Sequence, residues 1–276
     1  MSESIIYDVA LRIMFDTYRT LEELKHPKAR IFETIKKDFP MLITSATERL
    51  RNVSLDAEVQ QLQDFLRYAS TTLTRVYLSG DWRPHVFLSE IFYEVLPLKR
   101  LHEWVIDMSK LPSSPQIAEI NSIIPLTSAK ISSRLGGKQI LLFEANLIEN
   151  TLFREILDEY SRRYAMNDER LLLSNVDEIN RLKESLDFLY VGSLDAWRLG
   201  WPNILSLASQ LLKRKGNLSL ILPINQREGL KTFLKLFDVP EYPEPEKIIE
   251  DLQRQRFTNI YTSKGPGFLA LVAARR

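Results

Sequence analysis

Leu186-Asp-Phe-Leu-Tyr-Val191 is an almost wholly apolar run closed by Gly192. It is too short for a buried helix and suits a strand covered on both faces, as inside a parallel sheet. Similar runs lie on either side of it. Trp104-Val105-Ile106, Gln139-Ile-Leu-Leu-Phe143 and Arg170-Leu-Leu-Leu173 precede it, and Leu218-Ser-Leu-Ile-Leu222 follows. The stretches between them, at 116–135, 149–164, 176–185, 201–215 and 228–237, include several long enough for crossover helices, which parallel strands require. Alternating strands and helices predict a doubly wound α/β sheet from about Trp104 onward. The tail breaks the rhythm. A helix is expected over 246–256, then two apolar segments, Thr258 to Thr262 and Phe268 to Ala273, around the turn Lys264-Gly-Pro-Gly267. Two strands joined so tightly must run antiparallel.

Residues 1–100 read differently. Ile5, Ile6, Val9, Ile13 and Met14 recur at helical spacing, and the pattern repeats over 29–38, 44–51 and 57–77. Pro27, Pro40 and Ser79-Gly-Asp81 punctuate it. An all-α N-terminal domain, a bundle or a cap, is expected over 1–100, ahead of an α/β domain over 101–276. The aromatics Trp82, Phe92 and Tyr93, with His85, fit a bundle core better than a substrate cover.

The chain of 276 residues is 45% hydrophobic and 26% charged, enough for a large core. Its 37 basic and 36 acidic residues nearly cancel, so no global field favours nucleic acid or an anionic membrane. There is no cysteine, which removes disulfides, thiolate metal sites and cysteine nucleophiles. His26, His85 and His102 lack ligand spacing, so no metal site is expected. The first residues are amphipathic and charged, and no apolar run approaches a bilayer's span of about 20 residues. A cytoplasmic protein is expected.

Five strand–helix units closed by an antiparallel hairpin resemble the class I S-adenosylmethionine (SAM) methyltransferases, a Rossmann-like family. The resemblance covers roughly residues 104–276. It rests on the order of elements and a few positions. It implies SAM as cofactor, bound at the carboxyl ends of the strands. In that family the first strand ends in a D-x-G-x-G loop. With Trp104-Val105-Ile106 as that strand, Asp107 takes the acidic place, and Ser109 and Leu111 stand where the glycines belong. Leu111 would put a branched side chain where the cofactor meets bare backbone. The resemblance further implies that Glu144, after the second strand, accepts from the ribose hydroxyls. It places Asn175 or Asp177, after the third, near the adenine amine, although both also read as a helix cap with first-turn acid. Gly192 would lie at the cofactor edge, with Asp195 and Trp197 as candidates for substrate orientation or base catalysis. The D/N-P-P-Y/F pattern of enzymes that methylate planar amino groups is missing there. Lys213-Arg-Lys-Gly216 reads as a structural turn before the fifth strand, and Arg256 replaces a glycine common at the entry to the closing hairpin.

Three functions follow as expectations. One is methyl transfer from SAM to an unidentified acceptor, in which the cofactor carries the chemistry and the protein aligns it. The second is a methyltransferase-like domain that has lost its cofactor and binds a partner. The third is transfer of an aminocarboxypropyl group, because helices ahead of a SAM-type domain also resemble nicotianamine synthases, whose G-x-G-P-L-P-L-T loop is echoed by Ser109-Lys-Leu-Pro. The acceptor, any protein partner and self-association stay open, and no nucleic-acid or membrane signal stands out.

Overall fold

In the computed structural model the described residues are 19, 23, 96–122, 125–148, 151–224, 239–265 and 268–276. The expectations for the N-terminal helices, for the aromatics at 82–93 and for a helix over 228–237 lie outside them. The chain divides into two compact units, Met1–Ser89 with Asn225–Asp238 and Glu90–Ile224 with Val239–Arg276. The second holds the sheet.

That unit opens with α1 (Leu96–Met108) and continues with β1 (Gln116–Ile120), α2 (Leu126–Leu135), β2 (Lys138–Phe143), α3 (Ala145–Ile148) and α4 (Thr151–Arg163). Next come β3 (Asp168–Leu172), α5 (Val176–Arg181), β4 (Leu186–Val191), α6 (Leu194–Trp197), α7 (Gly200–Leu211) and β5 (Leu212–Pro223). The unit closes with α8 (Pro245–Arg254), β6 (Phe257–Gly265) and β7 (Phe268–Arg275). The seven strands form one sheet in the order β3-β2-β1-β4-β5-β7-β6. β1 to β5 are parallel, and β7 runs antiparallel between β5 and β6.

The strands form where both faces are covered. Ile140 to Phe143 of β2, Phe188 to Val191 of β4 and Leu218 to Leu222 of β5 are buried almost without interruption. Each such side chain contributes about 1.5–3 kcal/mol on burial. The helix α7 packs on β4 and β5, α2 on β1 and β2, and α1 on β5, β6 and β7. The hairpin of β6 and β7 matches the sequence expectation.

One expected strand is a helix. Trp104, Val105 and Ile106 lie within α1. Leu101, Val105 and Ser109 recur every four residues as its buried stripe, while Arg100, Asp107 and Lys110 stay exposed. The Ser109 hydroxyl donates back to the Val105 carbonyl at 2.5 Å and lies 2.8 Å from the Ser219 hydroxyl on β5, which fixes the end of α1 against the sheet. The first strand is instead Gln116-Ile-Ala-Glu-Ile120, so the helix expected over 116–135 is a strand followed by a ten-residue helix. β1 sits between β2 and β4, with Ile117 opposite both Gln139 and Phe188.

Candidate functional site

The carboxyl ends of β1, β2 and β4 are adjacent, and in an open α/β sheet this is where ligands bind. The residue after β1 is Asn121, fully buried, with a left-handed φ of 45°. Asparagine is among the few side chains that tolerate this backbone. Its N–H donates to the Leu142 carbonyl at 2.8 Å, extending the ladder to β2. Its side-chain amide then engages Glu144 twice. Nδ2 donates to the Glu144 carboxylate at 2.9 Å, and Oδ1 accepts from the Glu144 N–H at 3.0 Å. The Asn121 carbonyl accepts from the Ser193 hydroxyl at 3.0 Å, and that hydroxyl also caps α6 by accepting from the Ala196 N–H. One residue thus joins the tips of three strands.

Two carboxyls here sit above their ordinary range. Glu119, next to last in β1, is buried and pushed up to about 7, first by desolvation. Hydrogen bonds from Ser128 and Ser122 oppose that shift, and the Ser128 N–H in the first turn of α2 donates to it at 2.9 Å. Asp195 on α6 is raised to about 6, again first by burial. Arg198, at 3.8 Å, pulls it down and the neighbouring Glu144 pushes it up.

The expected site residues separate into two groups. Asp107, Ser109 and Leu111 end α1 or follow it, ahead of the amino end of β1, so they lie on the edge away from the crevice. The loop at the tip of the first strand is Glu119-Ile-Asn-Ser-Ile123. Glu119 takes the acidic place of the D-x-G-x-G pattern, and Asn121 and Ile123 take the places of its two glycines. The signal was present in the sequence: an acid two residues before an asparagine, the commonest stand-in for a left-handed glycine. Ile123 itself lies outside the described residues.

The second group reaches the carboxyl edge. Glu144 follows β2, and Gly192 and Asp195 follow β4. Asn175 follows β3 and acts as the N-cap of α5, accepting from the Glu178 N–H at 3.3 Å, with Asp177 exposed in the first turn. Gly192 has a packing reason to lack a side chain. A Cβ there would lie 2.0 Å from the Tyr190 hydroxyl, which is 2.5 Å from Nδ1 of the buried His102. Trp197 is locked into the core. Its indole N–H donates to the Ile221 carbonyl at 2.7 Å, its own carbonyl accepts from the Tyr242 hydroxyl at 2.8 Å, and its ring lies 5.7 Å from Phe268. Among the described residues no group of three or more His, Asp or Glu side chains is arranged to hold a metal ion, and no helix is long and apolar enough to cross a membrane.

No protein-family model matches the chain, and no curated protein matches it by sequence. Solved structures do. The CurJ carbon methyltransferase superposes with a TM-score of 0.61 at 15% identity, over 99% of this chain and 90% of that one. The DszA carbon methyltransferase gives 0.61 at 15%, over 99% and 89%. The CMeT domain of the citrinin polyketide synthase gives 0.57 at 11%, over 100% and 90%. At such identities the likeness is one of fold. With the strand order and the closing hairpin, it establishes that this chain has the class I SAM-dependent methyltransferase fold.

Proposed function

We propose that the chain is a methyltransferase-like binding module whose own side chains fill the floor of the cofactor crevice. Asn121 carries this reading. A fully buried amide stands where the family pattern has a glycine, and it takes both the carboxylate and the N–H of Glu144. A ribose would have to displace that pairing, leaving a buried amide without its partners, a cost of about 1–3 kcal/mol. These residues do not fit an adenosyl group in the manner the family resemblance implies, so no methyl-transfer step is derived through it.

Methyl transfer from SAM is the second reading. Glu119 and Glu144 favour it, as acids at the tips of β1 and β2, and so does the buried Thr127 hydroxyl in the first turn of α2, which has no hydrogen-bond partner among the described residues. The aminocarboxypropyl reading loses its motif, because Ser109-Lys-Leu-Pro lies ahead of β1 on the opposite edge.

Ligand-dependent melting separates the first two. A site filled at about 100 times its Kd adds about 2.7 kcal/mol of stability. We expect millimolar SAM or S-adenosylhomocysteine to leave the melting temperature of the wild-type chain unchanged. A saturable rise that disappears in Glu144→Ala would overturn the proposal in favour of the enzyme.

A further inference from the structure

The amino-terminal edge of the sheet, across from the crevice, gathers cations. Asn217 of β5, Ala274 of β7 and Thr258 of β6 form one row across three neighbouring strands. Two residues outward from that row stand Lys215, Arg276 and Arg256. The Arg276 N–H donates to the Arg256 carbonyl at 3.0 Å, which keeps the row closed at its end. Strands lie about 4.8 Å apart, so the three positions span about 10 Å. Lys110 joins them, because the carbonyl of its neighbour Ser109 accepts from the Asn217 amide at 2.7 Å. Arg214 adds a further charge from a bulge. Between the pairs Leu186–Leu212 and Phe188–Asn217, residues Lys213 to Gly216 face Asp187 alone.

Two features set this edge apart. Lys110, Arg214, Lys215, Arg256 and Arg276 are all exposed, and among the described residues none of them has a carboxylate partner. Lys213 and Arg275 beside them do, in Asp187 and Glu184. Moreover Lys110, Lys215 and Arg256 hold left-handed φ values of 43°, 67° and 64°, where glycine would sit without strain. Ser114, Ala165 and Glu184, which also precede strands, share this backbone, so the left-handed turns belong to the whole edge and the long cationic side chains at these three distinguish this part of it.

We propose that this edge is a docking surface for an acidic segment of a partner protein. Lys213 and Arg275 are already neutralised by Asp187 and Glu184, so the unpaired charge is confined to a patch about 10 Å across, which suits a short acidic segment better than a long polyphosphate chain. Fixed positive charges on strand ends give steering and register, with binding that weakens as salt rises. The proposal does not depend on how the crevice is read.

The test uses the full chain and a fluorescent helical peptide rich in Asp and Glu, with a single-stranded DNA oligonucleotide of equal charge as comparison. We expect saturable peptide binding that weakens roughly tenfold between about 50 and about 200 mM salt. Lys215→Gly with Arg256→Gly should weaken it by roughly tenfold again while raising the melting temperature, because charge is lost and strain is relieved. Lys215→Asn with Arg256→Asn keeps the turn geometry and should weaken it equally. Lys264→Ala, at the far end of β6, should leave it unchanged. Absence of saturable peptide binding, binding by both double variants as tight as that of the wild-type chain, or tighter binding of the oligonucleotide through the same residues would each overturn the proposal.

Discussion

The two edges of the sheet depart from glycine in opposite ways. At the carboxyl edge Asn121 keeps a left-handed backbone and turns its amide inward, where every polar atom of that side chain finds a partner. At the amino edge Lys110, Lys215 and Arg256 keep left-handed backbones with exposed side chains. Strain at the first edge is offset by internal hydrogen bonds. At the second the Arg256 backbone is held by hydrogen bonds with Gln253 and Arg276, but the side chains take no part. The same backbone feature therefore marks a closed site on one side and an open surface on the other.

The largest effect should come from a glycine that neither edge can lose. Gly137, before β2, has φ of 93°, and a Cβ there would lie 2.2 Å from the Pro115 carbonyl oxygen. Gly137→Ala should cost roughly 3 kcal/mol or more, read as a lower urea midpoint. A near-neutral result would mean that the 114–115 turn yields readily, and that rigidity at the amino edge is overstated.

Next comes the clasp itself. Asn121→Leu leaves Glu144 buried in part without its donor and puts a branched side chain at a left-handed position. It should lose about 2–3 kcal/mol. Asn121→Gly relieves the backbone and should lose about 1 kcal/mol less. Equal losses would show that the amide bonds, and not the backbone, dominate at this edge.

The pH dependence sharpens the contrast further. Glu119 titrates near 7 in the folded chain against 4.5 when exposed, so between those values the folded state holds a proton that the unfolded state releases. Its contribution to stability therefore falls as pH rises, by at most about 1.4 kcal/mol per unit, and levels off above about 7. Asp195, raised to about 6, adds the same sign from its ordinary 3.8. His102 works the other way. Burial, with Lys130 nearby, lowers it from 6.5 to about 3. The unfolded chain binds that proton first, so stability falls as pH drops from about 6.5 toward 3. Melting curves of Glu119→Gln should show greater acid sensitivity than wild type, and those of His102→Phe less. Parallel profiles for the two variants would rule out this division of labour.

The smallest effect is a gain. Lys215→Gly or Arg256→Gly should each add a few tenths to about 1 kcal/mol, measured by denaturant titration. A loss would mean that these side chains support the fold, and would remove the contrast between the edges.

Much of the sheet was legible in sequence, and the reasons are specific. β2, β4 and the core of β5 are apolar on both faces, which leaves a continuous run with no other good reading. β1 was hidden because Glu119 sits within it near its end, and a buried acid breaks the apolar signature of a central strand. Trp104-Val105-Ile106 read as a strand because three apolar residues in a row outweighed the four-residue spacing of Leu101, Val105 and Ser109. The site followed the same logic. Glu144, Gly192 and Asp195 could be placed at the carboxyl edge because each follows a readable strand. Asn121 was missed because the strand before it was missed.

The hydroxyl of Ser193, the amide of Asn121 and the carboxylate of Glu144 form one keystone across the tips of β4, β1 and β2. In a sheet whose rim must admit a ligand, the last amides of the central strands exchange with solvent whenever the rim breathes. Here those protons should be among the slowest in the unit, and the rim should behave as an extension of the core.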